Sequence, residues 1–422
     1  MSMEISDNFD VPANLEALSK EELIKIIKHL QDKELPKKNK DIRKKFATPF
    51  DFKKYKKRHV ALKFLYLGWD YSGFTVQIHT EKTIEAQLFN ALEKTKLLES
   101  RETSNYNRCG RTDKGVSAFC QVVSLDLRTN LNEGKGVITP DDFLKVGRKV
   151  SDKEIEYPSV LNRVLPPEIR VIGWAPVDTT FSARFDCKQR TYKYWFPLGD
   201  LDIFRMQEAA QKLVGEHDFR NFCKMDVGNG VVNYKRKIFS VDIQPFSSSE
   251  VKAYDIIELT VIGQAFLWHQ IRCIISVLFL IGQGKEDCQI VDQLLDIENC
   301  PRKPQYNMAS EIPLVLFDCA YDNIEWIYDK ESLKLVIKHL QSIWTYNAVK
   351  SVITRKMLQE LEKMCSLDNP VLNQVECLLP GVKPREYKRL LDRQRCGLKV
   401  LRSTNPSKEG FYFGNVMQSV EN

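Results

Sequence analysis

Histidine is scarce in this 422-residue chain, with six copies, and the eleven cysteines include no CxxC pair. Neither a zinc site with the usual ligand spacing nor a secreted disulfide framework is therefore expected, and the thiols read as free and intracellular. Long apolar runs are also missing. The longest, IISVLFLIG at 274–282, is about half of what a bilayer span needs, and no apolar leader opens the chain, so a soluble protein without a membrane partner is expected. No cluster of carboxylates suggests a two-metal hydrolytic centre either.

What the chain does have is hydrophobic content of 43%, ample for a core, and a net charge of +7 that one segment dominates. Residues 37–58, KKNKDIRKKFATPFDFKKYKKR, hold eleven Lys/Arg against two acids, so the remainder of the chain is slightly negative. Such a run suits a polyanion or a nuclear import receptor, or is a solvated linker. Upstream, LSKEELIKIIKHL places Ser19 and Glu22 as a capping box, with Leu18 and Leu23 as a staple, ahead of the stripe Leu23, Ile26, Ile27 and Leu30. A helix is expected there.

The body begins at HVALKFLYLGWDYSGF, a strand running into a loop. TIEAQLFNALEKT follows as a helix capped by Thr83, with Ile84, Leu88 and Leu92 on its buried face. FCQVVSLDLR alternates Phe119, Val123, Leu125 and Leu127 against Cys120, Ser124, Asp126 and Arg128, as a half-buried strand does. A second round comes after residue 189: strands at RTYKYWFP, IFSVDIQP and IIELTVIGQAF, a helix around AAQKLVG, and the apolar helix HQIRCIISVLFLIGQG. Irregular alternation of this kind predicts an α+β fold of two sheet-and-helix halves around a central mixed or antiparallel sheet. The expected layout is a helical extension over 1–36, the basic arm over 37–58, catalytic halves over 59–188 and 189–320, and a helical extension over 321–422. Residues 131–158, rich in charge and glycine, read as a surface insertion.

Chemistry concentrates in RCGRTDKGVSA at 108–118. Gly110 and Gly115 permit a tight turn and close approach, while Arg111 and Lys114 favour an ionised Asp113. A plain turn would also account for these residues. Elsewhere, Arg272 stands in an otherwise apolar helix, which requires a buried anionic partner. Cys109 has no nearby histidine to activate it and reads as a small buried thiol.

The loop resembles the signature GRTDxGVxA of the TruA-type pseudouridine synthases, matched from Gly110 to Ala118. LNRVLPPEIRVIGW, FSARFDCKQRTYKYWF, GEHDFRNF and GQAFLWHQIRCII follow in that family's block order. TSNYNRCGRTDKGVSAFCQVVSLDLR, FCKMDVGNGVVNY and the tail GVKPREYKRLLDRQRC are closest to its eukaryotic tRNA pseudouridine(38/39) synthase branch. The resemblance implies cofactor-free isomerisation of uridine to pseudouridine in the anticodon arm of tRNA. Asp113 would be nucleophile at C1′ or base at C2′, two roles the sequence leaves open. Tyr192 would be the active-site tyrosine and Arg272 the basic partner of Asp113. Arg111 would fill the place of the extruded base.

Lys114 and Phe266 are expected at the substrate, Trp268 and His269 to line the pocket or merely pack, and His217 and Asp218 to be structural. Lys188, Arg190 and Lys193, flanking the tyrosine strand, are expected to line an RNA groove. A homodimer with nuclear and cytoplasmic location is implied as well. A catalytically silent tRNA-binding protein on the same scaffold is the alternative.

Overall fold

The computed structural model describes residues 50–144, 151–224, 233–246, 253–365, 374–381 and 386–396. The expected helix near 19–30 and the basic run up to residue 49 lie outside them. The chain divides into compact units at Met1–Asp51 and Phe52–Asn422, and the second is described here.

Ten strands form one sheet: β1 (Lys57–Tyr66), β2 (Asn107–Arg108), β3 (Ser117–Arg128), β4 (Val137–Ile138), β5 (Ile169–Pro176), β6 (Cys187–Pro197), β7 (Gly215–Asp218), β8 (Lys235–Pro245), β9 (Ile256–Gly263) and β10 (Leu314–Tyr321). Its order is β4-β1-β3-β10-β6-β9-β8-β7, with β5 also on β1 and β2 also on β3. Every pairing is antiparallel except that of β10 with β3, where Val315 meets Ser117 and Leu316 meets Ala118 in parallel. That two-residue seam joins the halves. One core gathers residues from β1 to β6 together with Leu316 and Cys319, and the other is built mainly from β6 onward.

Helix α1 (Ile84–Lys94) starts where expected: Thr83 Oγ1 accepts from Ala86 N at 3.3 Å, and Ile84, Leu88 and Leu92 are buried. Each such side chain contributes about 2 kcal/mol by leaving water. After α2 (Tyr157–Asn162) and α3 (Ile203–Gln211) comes α4 (Gln270–Gly282), in which all thirteen residues are buried, Arg272 among them. Then follow α5 (Ile290–Leu295), α6 (Lys330–Met364) and α7 (Gln374–Leu378).

Three local expectations change. Strand β3 is covered on both faces by packed core side chains: Cys120, Val122 and Ser124 are as buried as Val123, Leu125 and Leu127. Phe119 is the residue left outside, 47% exposed and stacked on Phe317 at 5.3 Å. Within 131–158, the described part is tied back to the sheet. Val137 and Ile138 pair with β1, and Glu154 accepts from Arg58 at 2.9 Å and Thr129 at 2.6 Å. The tail is helical, yet only Ser332 and Val336 of α6 are buried, packing near Leu65 and Ile172 at its first turns.

Candidate active site

The Asp113 loop leaves β2 and enters β3 beside the seam. Its shape is fixed from behind: Phe74 N donates to Thr112 O at 3.1 Å, Gly115 N to Tyr71 O at 3.2 Å, and Thr112 Oγ1 shares a 2.7 Å hydrogen bond with Tyr66 OH. Val116 N closes the turn onto Asp113 O at 3.2 Å. Gly115 needs its missing side chain, with φ +80 and space for a Cβ only 2.7 Å from Glu311 Cγ. Gly110 does not: φ is not positive there, and nothing lies within 4 Å of a Cβ. It faces open space in the cleft.

The second half supplies the partners of the carboxylate. Trp268 Nε1 donates to Asp113 Oδ1 at 3.1 Å, and His269 Nε2 lies 3.4 Å from Oδ2. His269 caps α4 in the left-handed region, φ 62. Burial first, then the charges of Arg272, Lys224 and Lys303, pull its pKa down to about 4, so the contact is that of a neutral imidazole and not an ion pair. Its Nδ1 is buried without a hydrogen-bond partner, which fits a proton on Nε2 directed at Asp113.

Arg272 does have an anionic partner, but that partner is Glu311, whose side chain is only partly buried. Its Nη2 donates to Glu311 Oε2 at 2.7 Å and its Nε to Ala309 O at 2.7 Å. No ion pair within 4 Å joins Arg272 to Asp113 among the described residues. Asp113 sits above the usual carboxylate range because burial raises it most. The charge of Arg272, the Trp268 hydrogen bond and Lys224 pull it back, and Glu311 pushes it up again. The cations acting on Asp113 are thus Arg272 and Lys224, not the adjacent Arg111 and Lys114, whose exposed side chains are screened by water.

Around this carboxylate opens a cleft of about 1480 Å³, lined by eight Lys/Arg and three carboxylate side chains. Arg111, Lys114, Tyr192, Phe266, Trp268 and His269 all line it. Tyr192 meets Phe266 edge to face, with centroids 5.2 Å apart, and its phenol is raised far above the ordinary value by burial, so it keeps its proton. Arg111 makes no hydrogen bond or ion pair among the described residues.

The strand lysines fall elsewhere. Lys193 Nζ bonds Glu258 at 2.6 Å and lies 4.6 Å over the Phe317 ring, while Lys188 pairs with Asp322. Arg190 donates to the carbonyls of Gln264, Cys109 and Arg184. In their place the basic lining comes from Arg101, Arg108, Arg184, Lys224 and Arg236. His217 Nε2 donates to Val214 O, and Asp218 holds Arg220, both away from the cleft.

Sequence reasoning missed Lys224 and Glu311. Lys224 lies 4.4 Å over the Trp268 ring, and its N–H donates to Trp268 O at 3.0 Å. No local pattern marks either residue, although the demand of Arg272 for an acid pointed to something like Glu311.

A family model described as tRNA pseudouridine synthase matches residues 209–322. The tRNA pseudouridine(38/39) synthase of Homo sapiens is 49% identical over 374 residues, 83% of this chain and 77% of the human protein. That of Saccharomyces cerevisiae is 43% identical over 289 residues, 67% of this chain and 62% of the yeast protein. The tRNA pseudouridine synthase A of Methanosarcina barkeri is 32% identical over 277 residues, 65% of this chain and 89% of its own. With 49% identity to the human protein across 83% of its own length, the chain belongs to the TruA-type tRNA pseudouridine synthase family.

Proposed function

We propose that the protein isomerises uridine to pseudouridine in the anticodon arm of tRNA, at the positions 38 and 39 carried in the names of its relatives. The reaction breaks N1–C1′, turns the uracil and forms C5–C1′, while a proton leaves C5 and N1 gains one. No outside group or electron is consumed. The observation that carries the residue assignment is the Asp113 carboxylate, held by Trp268 in a cleft lined mainly by basic side chains.

Asp113 acts on the sugar, attacking C1′ or removing the C2′ proton, and both roles require it ionised and reachable. Arg272 and Lys224 supply the positive field that keeps the carboxylate form accessible despite burial. Tyr192, protonated and packed edge-on against Phe266, offers a ring to the uracil and a hydroxyl to the sugar. The free guanidinium of Arg111 takes the gap left in the RNA, offsetting part of the few kcal/mol that extrusion costs. Lys114 and the basic walls hold phosphates; Arg190 shapes the wall through its carbonyl contacts.

Asp113→Asn tests the assignment. tRNA binding survives and tritium release from uridine labelled at C5 stops; release near the wild-type rate overturns it. Replacing a buried carboxylate that is raised above its unfolded value also removes a group whose ionisation costs stability at neutral pH, so this variant melts higher than wild type.

The reading extends to a homodimer and to both nucleus and cytoplasm. Support for the first is the stripe Val349, Ile353, Met357, Leu361 and Met364 on α6, each at least half exposed. Support for the second is the basic run 37–58. A monomer in sedimentation at the highest soluble concentration sinks the dimer. Exclusion of the tagged chain from nuclei sinks the location.

A further inference from the structure

The cysteines that no spacing unites are united by the fold. Cys109 follows β2, Cys187 opens β6 and Cys319 lies in β10, yet their Sγ atoms all fall within 4.8 Å of one another. Among the described residues this is the one cluster of three His, Cys, Asp or Glu side chains so placed. Cys109 and Cys319 are 3.3 Å apart, sulfur to sulfur, and all three residues are buried. The remaining thiol protons point to main chain: Cys319 donates to Cys120 O at 3.2 Å and Cys187 to Gln189 O at 3.3 Å.

The surroundings carry charge that the thiols alone do not explain. Arg190 Nη2 donates to Cys109 O at 3.0 Å, and its other hydrogen bonds also end on neutral carbonyls, Gln264 O and Arg184 O. Among the described residues it has no carboxylate partner, although a partly buried guanidinium gains from a counter-charge. Three thiolates, one divalent cation and one guanidinium sum to zero.

Distances agree with such an occupant. With metal–sulfur bonds of about 2.3 Å, a trigonal set of thiolates needs sulfurs about 4.0 Å apart and a tetrahedral set about 3.8 Å. Cys109 and Cys319 Sγ lie 3.3 Å apart, and no pair of the three exceeds 4.8 Å, so small side-chain shifts suffice for either geometry. Cys109 also borders the cleft, which leaves a route for a water to complete a fourth position.

We propose that Cys109, Cys187 and Cys319 form a tri-thiolate site for one soft divalent cation of the zinc class, tying the Asp113 loop to β6 and β10. On binding, three S–H protons pass to solvent and three metal–sulfur bonds form, with no change of oxidation state. The site is tied to the reacting groups through the chain: Cys109 is four residues before Asp113, and Cys187 is five before Tyr192. Its occupation therefore stiffens the loop and the tyrosine strand together. The proposal does not depend on which uridine is modified.

The test is a titration of the reduced, metal-stripped full chain with Cd(II), without oxygen. The thiolate-to-metal charge-transfer band should saturate at about one equivalent with about three protons released. It should fall by about a third in each of Cys109→Ser, Cys187→Ser and Cys319→Ser, and stay unchanged in Cys288→Ser. Because a serine variant could fail to fold, X-ray absorption of the loaded wild-type chain gives a second reading: three sulfur neighbours around cadmium support the site, and fewer overturn it. A band of full amplitude in all three variants overturns it too. So does formation of a Cys109–Cys319 disulfide with peroxide in a protein that takes up no cadmium.

Discussion

Replacing Glu311 by Gln separates two effects that a generic loss of packing would combine. The variant keeps the shape and an acceptor for Arg272 Nη2 but removes the charge facing a guanidinium that is 8% exposed. Breaking a fully buried ion pair costs about 3–5 kcal/mol. With the Glu311 side chain 30% exposed and the hydrogen bond retained, about 2 kcal/mol is the expected loss. Unfolding entropy of about 2.1 cal/mol/K per residue over the roughly 310 described residues from Phe52 onward makes that a fall in Tm of about 3 °C.

The activity should move the other way on the pH axis. Glu311 holds Asp113 up, both directly and by neutralising Arg272, so its loss lowers the Asp113 pKa. On the role proposed for Asp113, the rate depends on the ionised form and falls as pH drops through that pKa. The acid limb of tritium release, measured with C5-labelled tRNA, therefore shifts to lower pH in a protein that melts earlier. An unchanged Tm with a stationary acid limb, or a limb displaced to higher pH, refutes the assignment of Glu311 as the charge that balances Arg272 beside Asp113.

Trp268→Phe removes the N–H that favours ionised Asp113 while leaving a ring for Lys224 to cover. Its acid limb should move to higher pH, and a limb at the wild-type position would show that the 3.1 Å contact does not act on the carboxylate. Gly68→Ala tests the wall behind the loop. A Cβ there would lie 2.0 Å from Val116 O and 2.6 Å from Val116 C, both main chain, so the loop must shift at a cost of about 3 kcal/mol, the upper end for overpacking. Denaturant unfolding together with tritium release should show both losses, and wild-type values for the two would mean that the loop is not pinned there.

Much of this arrangement was legible in the sequence because it is local. Thr83 with Ile84, Leu88 and Leu92 specifies a capped amphipathic helix whatever surrounds it, and GRTDKG announces a turn with a carboxylate. The Arg272 anomaly is local too, since the residue is out of place in its own helix. What could not be read depends on pairing across the seam. The period-two pattern of β3 predicts one covered face, and only core residues from other parts of the chain cover the other. Lys193 looked like RNA-facing charge until β9 put Glu258 beside it. Lys224 and Glu311 have no signature because they matter through Trp268 and Arg272, which arrive from other parts of the chain.

The last strand of the sheet in sequence, β10, lies at its centre, between β3 and β6. A ribosome therefore delivers the Asp113 loop roughly two hundred residues before the strand that joins the two halves and before Glu311, which precedes that strand. Until then the first half has its loop but no Trp268, His269 or Arg272 against it. Chemical competence appears only once translation has passed residue 321, and a chain truncated before that point carries the signature motif without the means to use it.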